Sequence, residues 1–227
     1  MPEQRKTFSI AIDGPAGAGK STVAKALAAA LDAMYLDTGA MYRAIGLAMD
    51  RMGVDLKDPA AVAARVYDVD IAVKYLEGAQ HIFLDGEDVS AAIRLPEVSL
   101  LASAVSAVPE VRVRMVALQQ EIARGQDVVM DGRDIGTKVL PDATLKLYLT
   151  AAAKVRAQRR HRELEEKGTP QPFAEVLADM LWRDYQDTHR AASPLMKADD
   201  AIEVDSGELT LDETVATILA LARKAIG

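Results

Sequence analysis

Apolar residues along this chain follow two rhythms. Short runs at residues 8–12, 33–36, 127–130, 145–149 and 201–204 read as strands, with the near-continuous hydrophobicity of strands covered on both faces. Between them, residues 20–32, 40–52, 97–107, 110–124, 152–166, 173–190 and 211–225 place apolar side chains three and four apart. That spacing predicts amphipathic, Ala-rich helices. Strands alternating with helices imply an α/β fold, a parallel five-stranded sheet with helices on both faces. Ligands of such sheets bind beyond the carboxyl ends of the strands.

One stretch departs from this rhythm. Residues 70–84 read as an antiparallel hairpin with its turn at 76–79, lying between the second and third sheet strands. Residues 66–100 are therefore expected to form a small inserted domain, leaving 1–65 and 101–227 as the core. A polar, Gly- and Pro-containing segment at 165–172 separates two charged helices and reads as a mobile turn. No internal repeat, coiled coil or low-complexity tail interrupts the pattern.

Where the first strand meets the first helix the chain reads Gly14-Pro15-Ala16-Gly17-Ala18-Gly19-Lys20-Ser21. This fits G-x-x-x-x-G-K-[ST], the phosphate-cradling P-loop. Small residues let the backbone curl so that successive N–H groups face phosphate oxygens, and the following helix N-terminus adds partial positive charge. Lys20 then reaches the terminal phosphates, and the Ser21 hydroxyl is available to Mg²⁺. The predicted sheet is thus of the P-loop NTPase type.

Composition narrows the partners. The 227 residues carry a net charge of −7, which argues against a nucleic-acid polymer or an acidic membrane surface. There are no cysteines, hence no disulfide, thiolate metal site or thiol catalysis. Residues 1–6 are polar, with no signal-peptide pattern, and no apolar run approaches the roughly 18 residues of a membrane span. A cytoplasmic location is expected. No Asn is present, so the Asn-Lys-x-Asp reader of guanine used by regulatory GTPases cannot be built.

Four further constellations carry charge near expected helix starts or along one helix face. In Leu36-Asp37-Thr38-Gly39-Ala40-Met41-Tyr42-Arg43, Asp37 or Thr38 caps the helix and Arg43 projects one turn later. As Val128-Val129-Met130-Asp131-Gly132-Arg133-Asp134 runs out, an apolar strand delivers Asp131 at its carboxyl end, where a P-loop enzyme holds a Mg²⁺-water acceptor. Arg156, Arg159 and Arg160 share one helix face, and their mutual repulsion calls for an anion, either Glu163 and Glu165 or a triphosphate. Arg183, Asp187 and Arg190 form a second stripe. Arg183–Asp187 reads as a surface ion pair, while Arg190 meets only neutral Gln186 at i−4 and so is a candidate for a ligand anion.

Together these segments resemble the bacterial cytidylate kinase family. Ile12–Ser21, Leu36–Arg43, Gly86-Glu87-Asp88-Val89-Ser90, Asp131-Gly132-Arg133-Asp134-Ile135-Gly136-Thr137 and Arg183-Asp184…Asp187…Arg190 stand in family order along the chain. The resemblance implies transfer of a phosphoryl group from ATP, with Mg²⁺, to CMP or dCMP by a cytoplasmic monomer of pyrimidine metabolism. It implies ATP contacts from Gly14, Pro15, Ala16, Gly17, Ala18, Gly19, Lys20, Ser21 and Thr22. It also implies a short lid at about 155–172 in which Arg156, Arg159 and Arg160 close over ATP. Arg43, Arg133 and Arg190 would hold the acceptor's α-phosphate. Ser103, Arg112 and Asp134 would read cytosine, and Arg183 and Asp187, with Thr38 nearby, would contact the sugar. The catalytic set would be Lys20, Arg133, Arg159, Arg160 and Arg190, the metal lying on Ser21 and, through water, on Asp131. The insert at 66–100 would be the monophosphate-binding domain.

The chemistry is compatible with these roles. A carboxylate accepts from the N4 amino group of cytosine, whereas the carbonyl of uracil would face it lone pair to lone pair. The acceptor phosphate is already ionised near neutrality, its second pKa being about 6, so no general base is required. His81, His161 and His189 are accordingly read as surface or structural. The competing readings are a P-loop kinase with another small acceptor, a hydrolysing switch, and a nucleotide sensor without turnover.

Overall fold

The computed structural model describes residues 7–76 and 78–227. The polar stretch 1–6 and Glu77 of the hairpin turn lie outside them. In chain order the first elements are β1 (Ser9–Asp13), α1 (Lys20–Leu31), β2 (Met34–Asp37), α2 (Thr38–Arg51) and α3 (Pro59–Arg65). Next come β3 (Ile71–Leu76), β4 (Ala79–Leu84), β5 (Glu87–Asp88), α4 (Pro96–Ser106) and α5 (Pro109–Ala123). The chain closes with β6 (Val128–Gly132), β7 (Leu145–Thr150), α6 (Ala153–Glu166), α7 (Phe173–His189), β8 (Ile202–Asp205) and α8 (Leu211–Ile226). All five expected sheet strands and all seven expected helices are present. Two compact units emerge, one of residues up to Tyr35 plus Gly125–Gly227, the other Leu36–Arg124.

The first unit is organised around a five-stranded parallel sheet, with strand order β2-β6-β1-β7-β8. β1 lies between β6 and β7, parallel to both. Ile10, Ala11 and Ile12 of β1 and all of β6 are buried, as central strands of a covered sheet must be. The register sets Ile12 opposite Asp131 and Asp13 opposite Gly132. The P-loop and the turn bearing Arg133 and Asp134 therefore leave the sheet at one edge. On one face Val23 and Leu27 of α1 and Ile218 and Ala222 of α8 join Ile10, Ile12, Val129, Leu147 and Leu149 in one apolar core. Each Val, Leu or Ile side chain among them contributes about 1.5–3 kcal/mol by leaving water. α8 begins with a capping box, Thr210 and Glu213 satisfying each other's backbone N–H groups. A second apolar cluster joins α6 to α7 through Ala157, Leu164, Val176 and Met180. α6 ends where Gly168, at φ 70, turns left-handed. The N–H groups of Gly168 and Thr169 close the turn on Glu165 and Leu164.

The second unit combines the three-stranded antiparallel sheet β3-β4-β5 with α2, α3, α4 and α5. The hairpin falls where the sequence predicts it, pairing Ile71 with Leu84 through Leu76 with Ala79. The unit is wider than the 66–100 segment read from the sequence, because α2 packs on the hairpin and α4 and α5 pack on α2. Gly46 permits the α2–α4 approach: a Cβ there would lie 2.8 Å from the Leu101 carbonyl carbon. Asp37 caps α2 by accepting the Ala40 N–H at 2.9 Å, which settles the choice between Asp37 and Thr38. Among the α-helices and strands, two were not anticipated. α3 is only seven residues, started by the Asp58 cap and Pro59, and β5 is two residues long.

Candidate active site

At the carboxyl edge of the sheet the chain must leave β1 and curl back into α1. Gly14 makes that possible: its φ is 148°, and an added Cβ would stand 2.0 Å from the Leu149 carbonyl oxygen on β7. Gly19, at φ 87°, is the N-cap of α1 and contributes no side chain to the helix start. The first-turn amides are thereby left to face an anion. Lys20 is buried, and its Nζ donates to the Pro15 carbonyl at 2.7 Å, arching back across the loop. Burial, reinforced by the nearby Arg133, pushes Lys20 down to about 7, against the attraction of Asp131, Asp13 and Asp187. A triphosphate would reverse that balance.

Carboxylates face these cations from three elements. Asp131, next to last in β6, accepts the Ser21 hydroxyl at 2.8 Å on one oxygen and the Tyr35 phenol at 2.8 Å on the other. Asp13, ending β1, accepts the N–H groups of Ile135 and Gly136 at 2.8 and 2.7 Å. Burial lifts Asp13 to about 6 even against those two bonds, with Asp134 adding repulsion. Asp187 of α7 takes Arg133 Nε at 2.7 Å and lies 3.6 Å from Arg190 Nη1. Burial alone would raise Asp187, but Arg133, Arg190 and Lys20 outweigh it and hold the carboxyl below its ordinary range. Arg190 thus finds its acid at i−3, where the i−4 reading met only Gln186. Its Nε also donates to the Ser193 carbonyl at 2.6 Å.

The three arginines of α6 diverge in their partners. Arg156 is buried; it grips Asp184 of α7 with two bonds, at 3.1 and 2.6 Å. It also donates to the P-loop carbonyl of Ala16 at 2.9 Å and to Ala151 at 2.7 Å. Arg159 donates to the Ser206 carbonyl at 2.6 Å and to its hydroxyl at 3.1 Å. Arg160 reaches Glu163 at 3.0 Å on the exposed face. Protein acceptors therefore already offset the repulsion along this helix. Arg183 and Thr22 are exposed on α7 and α1, and Asp134 is buried just beyond β6.

The remaining expected residues belong to the second unit. Thr38 is buried at the start of α2. Arg43 and Arg94 converge on one oxygen of Asp37, at 2.9 and 3.0 Å. Gln80 fixes the Asp37 backbone from β4, accepting its N–H at 2.7 Å and donating to its carbonyl at 3.2 Å. Arg43 Nε is buried with no hydrogen-bond partner among the described residues. Arg112 is buried at the α4–α5 elbow, donating to the Ser106 carbonyl at 2.8 Å and to the Tyr42 hydroxyl at 3.4 Å, with its guanidinium over the Tyr42 ring. Ser103 is exposed on α4.

Sequence reasoning assigned no role to Asp13 and Asp184, though both stand inside the matched segments, and did not single out Tyr35 or Arg94. Asp13 had a signal, a carboxylate ending an apolar strand directly before the P-loop. Asp184 sits three residues before Asp187 on the same helix. Arg94, beyond the hairpin, left no trace in the pattern.

A phosphate loop of this geometry is shared by many nucleotide-binding folds; the rest of the chain discriminates among them. The cytidylate kinase family model matches residues 10–224. The cytidylate kinase of Caldicellulosiruptor bescii is 48% identical over 97% of this chain and 98% of its own length. That of Lactobacillus johnsonii is 49% identical over 96% and 94%, and that of Nocardia farcinica 51% identical over 91% and 89%. Similarity of this extent, running through the P-loop, the Asp131–Gly136 turn and the α7 stripe alike, places the chain in the cytidylate kinase family.

Proposed function

We propose that this chain transfers the γ-phosphoryl group of ATP to the phosphate of CMP or dCMP, yielding ADP and CDP or dCDP. The observation that carries this reading is family membership along the whole chain, in a protein whose P-loop shares one sheet edge with the Arg133–Asp187–Arg190 cluster. In the reaction an acceptor phosphate oxygen forms a bond to the γ-phosphorus while the bond to the β–γ bridging oxygen breaks, and that electron pair leaves with ADP. The attacking oxygen is already ionised, so no protein group need remove a proton. The protein's task is positioning and charge neutralisation.

The P-loop amides from Gly14 to Thr22 and the Lys20 ammonium take the ATP phosphates. Arg133 and Arg190 exchange part of their bonding to Asp187 for the transferring group and the acceptor phosphate, with Arg43 as a further phosphate ligand. Arg159 and Arg160, with Arg156, serve the ATP side as part of a lid at about 155–172. Ser103, Arg112 and Asp134 recognise cytosine; Thr38, Arg183 and Asp187 recognise the sugar. The segment around 66–100 is the monophosphate-binding insert. Ser21 and Asp131, hard oxygen donors 2.8 Å apart, fit Mg²⁺, which favours oxygen ligands and keeps several waters. When bound there, the ion supplies neutralisation of the β- and γ-phosphate charge. The enzyme acts as a cytoplasmic monomer; no helix among the described residues is long and apolar enough to cross a membrane.

An ADP-release assay with MgATP across CMP, dCMP, UMP, AMP and shikimate tests the assignment. CMP and dCMP are expected to exceed UMP by about tenfold or more in kcat/KM, the cost of an unpaired buried polar group. Equal rates with AMP or shikimate would replace cytosine recognition with another acceptor.

A further inference from the structure

The turn that follows β6 is capped by the wrong aspartate. Asp134 occupies the residue immediately before the five-residue π-type turn Ile135–Val139, the position from which an Asp side chain ordinarily caps, yet its side chain makes no cap there. Asp13, 121 positions earlier and on another strand, does this instead. Its two carboxylate oxygens take the N–H groups of Ile135 and Gly136, at 2.8 and 2.7 Å. Asp13 is itself the last residue of β1, paired in register with Gly132 and followed directly by Gly14 of the P-loop. The contact is buried and close: a Cβ on Gly136 would lie 3.4 Å from the Asp13 carboxylate and 3.2 Å from Lys146.

We infer that Asp13 is a positioning residue for acceptor recognition: by capping the Ile135 turn from outside, it relieves Asp134 of that duty and fixes Arg133 and Asp134 in register with the P-loop. The reasoning is one of competing hydrogen bonds. A short Asp side chain beside unsatisfied N–H groups turns back to bond them. Once Asp13 saturates those donors, the Asp134 carboxylate gains nothing by folding back onto its own turn. The same link ties Arg133 and Asp134 to the strand that launches the phosphate loop.

This inference rests on the proposed cytidylate specificity, and its test separates the two. Asp13→Asn keeps the shape but replaces one accepting oxygen with an NH₂ group that opposes an N–H. Gly136→Ala perturbs the same contact from the other side. In Asp13→Asn the ratio of kcat/KM for CMP over UMP should fall about tenfold and KM for CMP should rise by a similar factor. KM for ATP should stay within about threefold. Gly136→Ala should shift the ratio in the same direction by less, and decides the matter if Asp13→Asn does not fold. A ratio unchanged in both variants, even with kcat lowered, would make the contact simple packing and overturn the inference. A parent enzyme that does not prefer CMP to UMP would overturn the proposed specificity first, and the inference with it.

Discussion

The two units hold their arginines in opposite ways. In the unit built on the parallel sheet, cations and carboxylates are matched by separate elements. Arg133 and Arg190 meet Asp187, Arg156 meets Asp184, and most of these groups are wholly or largely buried. In the unit containing the hairpin, Arg43 and Arg94 share a single oxygen of Asp37, and Arg94 is 55% exposed. Guanidinium groups held on separate carboxylate oxygens, with backbone carbonyls as additional acceptors, are preorganised before any ligand arrives. Two that compete for one oxygen are more readily taken over by an incoming phosphate. Preorganisation is what electrostatic catalysis requires, and exchangeability suits capture of a substrate.

The sharpest break of this contrast is at its centre. Lys20→Ala removes the cation around which Asp13, Asp131 and Asp187 are arranged. It should lower kcat by about 10³-fold or more, while circular dichroism and thermal unfolding show an intact fold; near-parental turnover would take the P-loop out of the chemistry. A second pair of variants tests the contrast itself. Asp187→Ala should lose kcat by about 10²-fold, because both Arg133 and Arg190 lose their reference. Asp37→Ala should act mainly on KM for the acceptor, by about tenfold. Steady-state kinetics with ATP and CMP varied in turn distinguish the two, and the same kcat and KM pattern in both variants would erase the difference drawn between the units.

The smallest effect is one of pH. Lys20 stands at about 7, below its ordinary 10.5, so in the free protein its charged form is lost as pH rises through that value. ATP restores the charge, and binding above about pH 7 must then take up a proton, with affinity falling by up to about tenfold per pH unit. Calorimetry at pH 8 in two buffers of different ionisation enthalpy measures that uptake directly. Binding with no proton exchange would mean that Lys20 is already charged in the free protein.

The strands, the long helices and the phosphate loop were legible because each is specified locally, by a run, a period or a glycine spacing. The extent of the second unit was not, since it depends on how closely α2 and α4 approach at Gly46, a tertiary fact with no periodic signature. α3 escaped because seven Ala-rich residues barely establish a period, although Asp58-Pro59 announces its start. In the site, the types of cation were readable but their acids were only partly so. Asp184 and Asp187 bind arginines 28 and 54 positions away, and Asp13 reaches backbone groups across the sheet. Partners chosen across strands are fixed by register, and register emerges only when the chain is folded.

Gly14 and Gly19 belong to one motif but answer to different constraints. At Gly14 the obstacle is occupied space, the Leu149 carbonyl on the neighbouring strand; at Gly19 the surroundings are open and only backbone handedness objects. A library randomised across this loop would therefore be filtered by two separate sieves. The first would pass glycine alone, unless β7 itself were re-laid. The second would admit asparagine or aspartate at a modest penalty, so diversity at one end of the motif says nothing about latitude at the other.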